Sequence, residues 1–564
     1  MDLILNPQMV LDAETRLVCP CHLKIKNPYP MNLDSGVLIP EPVDPKCEAI
    51  LAQANIPVTT KLGLSKDELK KEIQQYNGLV VRSATKVTSD IIAAGKNLKV
   101  IGRAGVGVDN IDCDAATTLG VLVINAPGGN TLSAAELTCV MICSLSRNIY
   151  EASSSLKEGK WDRKKFMSNE LDGKTLAIIG LGRIGREVAH RMQSFGMKTI
   201  GFDPLVPAEE SKKFGVESLT LEEIWPLADY ITVHTPLIPQ TRNMINTDVF
   251  SKCRKGVKIV NCARGGIIDE AALLTALKSG QCGGAGLDVF SEEPPKCTDL
   301  LQHPRVICTP HLGASTHEAQ SRVAEEIAQQ FVSLHIGNSI HGIVNCPAFA
   351  LSKIHSQWAK VSKTVGAFVT MLFPKTDKDI SLEANVYGQD LKGKEILFST
   401  ALLIGMLKQR NHANANFVNA ATLARDAGFQ VAKVTNNQIS SDNISIEVTA
   451  TSLTETHTVL ATVNNGEPAL CNVDNCQFKT VPFISDDLIF MKGPNSSEVM
   501  SKIIGLFAEF GLVRNLAFGE LPRESESCWC AVHAVGKVET MPEEVVKELE
   551  RASHYLDFWA QMRI

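Results

Sequence analysis

Six short apolar runs between residues 174 and 313 constrain the fold most: KTLAIIGLG, KTIGFDP, ADYITVHTP, GVKIVNCARGG, GAGLDVF and RVICTPHLG. Each is Ile/Val-rich, strand-length, and stops at Gly, Pro, Asp or His, with helix-length segments between them. Strands alternating with helices imply a parallel sheet covered by helices. Such a sheet gathers the polar strand ends on one rim, where ligands of open α/β sheets bind. A second series, VLIPE, GLVVRS, LKVIGRAG and VLVINAP, repeats the rhythm from about residue 36, with helices starting at Asp44 and Thr88.

A chain of 564 residues with 44% hydrophobic content exceeds what one core can hold. The segments predict an extension over 1–35, a first lobe of 36–127 completed by 311–345, a second lobe of 128–310, a mixed α/β domain over 346–480 and a terminal module over 481–564. Both lobes are expected to be Rossmann-like or flavodoxin-like parallel sheets. The helix THEAQSRVAEEIAQQFVSLHIG after Pro310 would run back to the first lobe. Another helix is predicted from Ser133, with Glu136 completing a capping box, carrying the chain toward Trp161. The terminal module reads β-α-β-β-α-β, the order of a ferredoxin-like sandwich.

Net charge of −6 leaves no basic stripe for nucleic acid or anionic lipid, so an anionic ligand must be held locally. The 16 cysteines lack the paired spacing of a zinc site and read as reduced thiols of a cytoplasmic protein. No apolar stretch approaches the ~20 residues that span a bilayer, and the first 35 residues lack a signal-peptide core.

AIIGLGRIGRE sets Gly180, Gly182 and Gly185 in G-x-G-x-x-G spacing directly after a strand and at the opening of a helix. Glycines there allow a tight turn, the approach of a pyrophosphate and close helix–strand packing. Asp203, at the end of the next strand, supplies the carboxylate for a ribose hydroxyl. Together they predict NAD rather than NADP, whose 2′-phosphate an acid would repel.

Two histidines end rim strands, His234 in TVHTP and His311 in CTPHLG, and either could do acid–base work. Glu293, in LDVFSEEPP, could stabilise an imidazolium if close. Arg264, in VNCARGGIIDE, offers the two parallel donors that match a carboxylate, with Gly265 and Gly266 giving room for a ligand. An ion pair between Arg264 and Asp269 explains the same arginine equally well, although Asp269 also reads as the N-cap of the helix EAALLTAL.

These residues resemble the D-isomer-specific 2-hydroxyacid dehydrogenases in GLGRIG, Asp203, HTPL, NCARGG, LDVFSEEPP and PHLG. In VVRSATKVT, GRAGVGVDN, GNTLSAAELT and GKWDRKKF the chain further resembles the long members of that family, and this likeness implies a phosphorylated 2-hydroxy acid as substrate. The resemblance implies that Arg264 fixes the substrate carboxylate, that His311 is the general acid–base and that Glu293 holds it protonated. It further implies cofactor contacts at Arg183, Ile184, Thr235, Cys262, Ala263 and Asp288, the last toward the nicotinamide amide. Arg264 and His311 would face the cofactor too. Arg82, Ser83 and Asn130 match substrate positions, and Arg103 with Arg163, Lys164 and Lys165 are phosphate candidates or a solvated basic face.

The same likeness makes 346–480 a regulatory-type domain, the terminal module ACT-like, and the protein a homo-oligomer with a dimer arm over Ser133–Trp161. Val106 departs from the usual threonine, and KGPNSSEV lacks the usual Pro-Gly turn. A corepressor of the C-terminal-binding protein type and a glyoxylate or hydroxypyruvate reductase are the rival expectations.

Overall fold

The computed structural model describes residues 31–338, all but short stretches of 340–494, and beyond 494 mainly strand segments. Contacts divide the chain into two compact units, one of them formed by Asp34–Asp112 with Ile124–Val332. That unit holds most of one sheet and all of a second.

In the first sheet, β1 (Val37–Ile39), β2 (Val58–Thr60), β3 (Gly78–Val81), β4 (Val100–Arg103) and β5 (Leu122–Asn125) run in the order β2-β1-β3-β4-β5. β1 pairs in parallel with both β2 and β3, and β3 with β4. This is the flavodoxin-like order, whose switch point lies between β1 and β3. The strands are too short and too apolar to face water: β1 and β3 are buried at every position. Phe331 of helix His317–Ile336 fills the space above Gly78 and Gly102, on β3 and β4.

The second sheet comprises β6 (Thr175–Ile179), β7 (Lys198–Phe202), β8 (Glu217–Ser218), β9 (Tyr230–Val233), β10 (Val257–Asn261), β11 (Cys282–Leu287) and β12 (Val306–Cys308). Their order is β12-β11-β10-β9-β6-β7-β8, and each of the six neighbouring pairs is parallel. Renumbered from β6, it is the Rossmann order, with its switch point between β6 and β9. Apolar clusters fill both faces, one around Trp225, Phe250 and Leu273 and the other around Met141, Met192 and Tyr230.

Two local expectations are corrected here. The helix expected to start at Ser133 begins at Thr131. Ser133 therefore lies inside its first turn, and its hydroxyl bonds Thr316 Oγ1 at 2.7 Å instead of capping. Glu136 faces Arg191 at 3.9 Å. The helix also stops at Arg147, because Asn148 adopts a left-handed φ of 50°, and a second helix runs over Ile149–Lys157. Capping boxes do form elsewhere, at Ser65/Glu68 and Thr220/Glu223.

The other unit carries a ten-stranded sheet. Its strands are β13 (Ile380–Tyr387), β14 (Phe429–Asn437), β15 (Ser445–Thr451), β16 (Thr456–Asn464), β17 (Glu467–Val473), β18 (Cys476–Phe478), β19 (Leu488–Pro494), β20 (Val513–Glu520), β21 (Ser527–Ala534) and β22 (Phe558–Gln561). Helices Ser356–Met371 and Glu395–Gln409 pack against it, the second buried at nearly every turn. The last four strands stand in the order β20-β21-β19-β22, each pair antiparallel, which is the ferredoxin-like order. β18 joins β20 through two residue pairs, Gln477 with Glu520 and Phe478 with Gly519. The aromatic core is also continuous across this joint: Phe368 meets Phe490 edge-on at 4.9 Å, and Phe490 stacks on Trp529 at 4.8 Å. Most of the extension 1–35, the turn at 495–499 and nearly all of the two helices expected in the terminal module lie outside the described residues.

Candidate active site

The dinucleotide turn follows from β6. Gly180 sits at φ 99°, a conformation closed to residues with a Cβ, and a Cβ on Gly185 would stand 2.1 Å from Gly180 O. Helix Arg183–Gln193 can therefore rest directly on the strand end, with no side chain capping its first turn and open space beside Gly182. Uncapped N–H groups at a helix start favour an anion. Asp203, just past β7, accepts Leu181 N and Leu205 N, one on each oxygen at 2.8 Å, and a carboxylate keeps further lone pairs for hydroxyls. Thr235 follows β9 at the same switch point, and its buried hydroxyl has no protein partner. Arg183 is exposed, and Ile184 is half-buried against the core. This set fits a dinucleotide.

The loops after β10, β11 and β12 carry the remaining groups. Cys262 is buried, its thiol pushed up to about 12 by that burial, with Sγ 3.5 Å from Met141 Sδ. Ala263 N donates to Asn261 Oδ1 at 3.0 Å. His311 Nδ1 and Glu293 Oε2 lie 2.9 Å apart, and Glu293 Oε1 accepts Phe290 N at 3.2 Å. The imidazole and the carboxylate are 49% and 39% exposed, so the pair is open to a ligand. The His311 backbone is left-handed at φ 55°.

Asp288 locks that backbone in place. It is fully buried, and its carboxylate accepts Thr309 Oγ1 at 2.5 Å, Leu312 N at 2.7 Å and Gly313 N at 2.8 Å. Its own carbonyl accepts His311 N at 2.9 Å. The side chain is thus turned toward the histidine loop.

His234 is separated from this group by its surroundings. Its Nε2 lies 3.1 Å from Thr232 Oγ1, and burial pushes the imidazole down to about 4. A histidine neutral at every working pH is poorly suited to cycling a proton.

Arg264 pairs with Asp109, not Asp269. Its Nε donates to Asp109 Oδ2 at 3.1 Å and its Nη1 to Ala263 O at 2.6 Å. Asp269 is engaged as the helix cap, accepting Ala271 N and Ala272 N at 3.0 Å. The reading of Gly265 as room for a ligand is also corrected. A Cβ there would lie 1.7 Å from Phe290 O, so the glycine makes room for the loop that carries Glu293.

The first lobe contributes from its own switch point. Glu41, after β1, is buried and accepts the backbone N–H of Arg82, Ala84 and Thr85 at 2.8–3.0 Å. Asn110 Nδ2 donates to the carbonyls of Arg82 and Thr85 at 2.7 Å. Arg82 Nη1 reaches Pro42 O at 3.3 Å, and Ser83 is exposed on the same turn. Asn130 Oδ1 and Arg103 Nε are buried without a protein partner. Burial, then the charge of Arg264, pulls the Arg103 pKa down, against Asp109 and Glu41. Arg163, Lys164 and Lys165 are exposed, with Lys165 Nζ 5.2 Å from the Phe166 ring centroid. Glu41, Asp109 and Asn110 carry no motif that marks them in sequence; for Asp109 the acid within GVGVDN is the one local signal.

Among the described residues no cluster of metal-ligating side chains occurs, and no helix is long and apolar enough to cross a membrane.

A flavodoxin-like lobe, a Rossmann lobe with its glycine turn, a His–Glu pair at one strand end and an arginine at another fit an NAD-binding dehydrogenase of 2-hydroxy acids. In agreement, residues 139–313 match the NAD-binding domain of D-isomer specific 2-hydroxyacid dehydrogenases, and residues 355–474 match the D-3-phosphoglycerate dehydrogenase intervening domain. The D-3-phosphoglycerate dehydrogenase of Sus scrofa is 49% identical over 481 residues, 84% of this chain and 90% of that one. The Homo sapiens enzyme of that name is 54% identical over 398 residues, 70% and 74% of the two chains. A solved glyoxylate reductase from Paecilomyes thermophila is 28% identical with a TM-score of 0.51, covering 55% of this chain and 97% of its own. The chain belongs to the D-3-phosphoglycerate dehydrogenase family, within the D-isomer specific 2-hydroxyacid dehydrogenases.

Proposed function

We propose that this enzyme oxidises 3-phospho-D-glycerate to 3-phosphohydroxypyruvate with NAD, the entry step of L-serine biosynthesis. The observation that carries the residue roles is the 2.9 Å pair of His311 Nδ1 with Glu293. With Nδ1–H donating to the carboxylate, Nε2 is left as a lone pair that can accept the C2 hydroxyl proton. Glu293 then faces an imidazolium and stabilises it. Arg264 binds the substrate carboxylate and orients C2, a positioning effect that lowers the barrier. Gly182 and the uncapped helix start would hold the pyrophosphate, and Asp203 the adenosine ribose. NAD, when bound, supplies the hydride acceptor. Arg82, Ser83 and Asn130 line the substrate end.

The protein is read as a cytoplasmic homo-oligomer. Ile149, Tyr150 and Leu156 on the helix Ile149–Lys157, with Trp161 at 76% exposure, form an apolar arm that suits a second copy. All 13 described cysteines are free thiols, as a reducing compartment requires.

The test is NADH consumption on adding 3-phosphohydroxypyruvate, with glyoxylate and hydroxypyruvate as comparators. Turnover preferring the phosphorylated acid is expected. Tight NADH binding without turnover would instead favour a corepressor-type sensor. In the same assay Arg264→Lys, which keeps charge but loses the planar fork, is expected to lower kcat/KM by about tenfold to a hundredfold.

A further inference from the structure

A side chain read as the clamp for a substrate carboxylate already has a carboxylate against it. The arrangement of bonds resolves the conflict. Asp109 engages Nε of Arg264, and Ala263 O engages one N–H of Nη1. A guanidinium has five N–H donors in one rigid plane, so one on Nη1 and both on Nη2 are not used by these bonds.

The plane is also fixed from its far side. A Cβ on Gly107 would lie 1.9 Å from Arg264 Nη2 and 2.6 Å from Asp109 Oδ2, so the guanidinium tip occupies the space that this glycine lacks a side chain to fill. Gly107 and Asp109 belong to the one short loop after β4, whereas Arg264 follows β10. The arginine is 28% exposed and the aspartate 69%, which puts the acid toward solvent and the guanidinium inward.

We propose that Gly107 and Asp109 are positioning residues for the dehydrogenase reaction: the loop grips Arg264 by Nε and by its Nη2 face, setting the plane in which the guanidinium meets the carboxylate of the 2-hydroxy acid. The proposal rests on the reading of Arg264 as the carboxylate-binding residue. Neither loop residue touches the reacting atoms; both act through Arg264. The opposed arrangement, Asp109 as an occupant that substrate must displace, predicts effects of the opposite sign.

The experiment uses the full chain and compares Asp109→Ala, Asp109→Asn, Gly107→Ala and Arg264→Ala, with KM for 3-phosphohydroxypyruvate and NADH affinity measured separately. Asp109→Ala is expected to raise that KM about fivefold, the scale of a half-exposed ion pair, with NADH affinity unchanged. Asp109→Asn keeps an oxygen acceptor and should recover part of the loss. Gly107→Ala should raise KM further, because the atom in its way is the flexible tip of an arginine and the fold survives while Arg264 moves. Adding Asp109→Ala to Arg264→Ala should change nothing more.

A lowered or normal KM in Asp109→Ala beside an impaired Arg264→Ala would overturn this proposal alone. So would an undiminished Asp109 effect in the Arg264→Ala background. A normal KM in Arg264→Ala would overturn the reading of Arg264, and this proposal with it.

Discussion

Replacing Asp288 by asparagine tests how the histidine loop is held. Its carboxylate accepts Thr309 Oγ1 and Leu312 N on one oxygen and Gly313 N on the other, with no exposure to water. An amide of the same shape can offer oxygen to the first two or to the third, but not to both. With its NH2 turned to Gly313, one buried donor is left unpaired, at roughly 1–3 kcal/mol, and the two bonds that remain lose their charge assistance, at about 0.5–1 kcal/mol each. The sum, about 3 kcal/mol, acts on the segment that presents His311 to Glu293. Carried fully into the placement of the imidazole, that is roughly a hundredfold in kcat. Steady-state kinetics at saturating NADH and a fluorescence titration of NADH separate the effects. Asp288→Asn should lose kcat with NADH affinity changed little. Thr309→Val, which removes a single donor, should lose less. The opposite outcome, normal kcat with NADH affinity lost, would return Asp288 to the nicotinamide contact that its family likeness implies and would refute the loop argument.

Two further expectations concern residues away from the reacting atoms. His234→Gln should leave the pH profile of kcat/KM unchanged between pH 6 and 9, since burial pushes the His234 pKa down to about 4 from the ordinary imidazole value of 6.5. The folded chain favours the neutral ring, so the associated stability is complete above pH 6.5 and is lost as pH falls toward 4. A flatter fall of the urea midpoint over that window in the variant, relative to the parent, checks it. Glu41→Gln weakens the acceptor for three backbone donors of the Arg82 turn. It should raise KM for the phosphorylated acid about tenfold, with the NADH dissociation constant as the unaffected control.

The fold was legible where the pattern is periodic and local. Apolar runs ending in Gly, Pro, Asp or His marked the parallel strands, because such strands are buried on both faces and read as continuous apolar segments. That Phe331 of the helix after Pro310 seats on Gly78 and Gly102 could not be read from the pattern, because it depends on two glycines on neighbouring strands far away in the chain. The capping box at Ser133 misled, because a hydroxyl three residues ahead of a glutamate describes a helix start only if no tertiary partner claims it, and Thr316 does. For the site, sequence brought out the residues that could touch a ligand but not those that hold them. The N-cap pattern at Asp269 was a local sign, but nothing local points to the true partner of Arg264, since Asp109 lies 155 positions away. The choice between His234 and His311 likewise depends on which ring the fold encloses and which it leaves beside Glu293.

The joint between β18 and β20 sets how the ten-stranded sheet can come apart. Beyond it β20 and β21 pair over five residues and β19 and β21 over seven, whereas β18 is held by two on either side, to β17 and to β20. A ladder opens most easily at its shortest run, so the sheet has a perforation there. The four strands beyond it can detach as a flap, each still paired within its own group, without unravelling the strands that cover the helix Glu395–Gln409. What resists the tear is less the backbone than the stacked rings of Phe490 and Trp529 against Phe368, which lie across the same line.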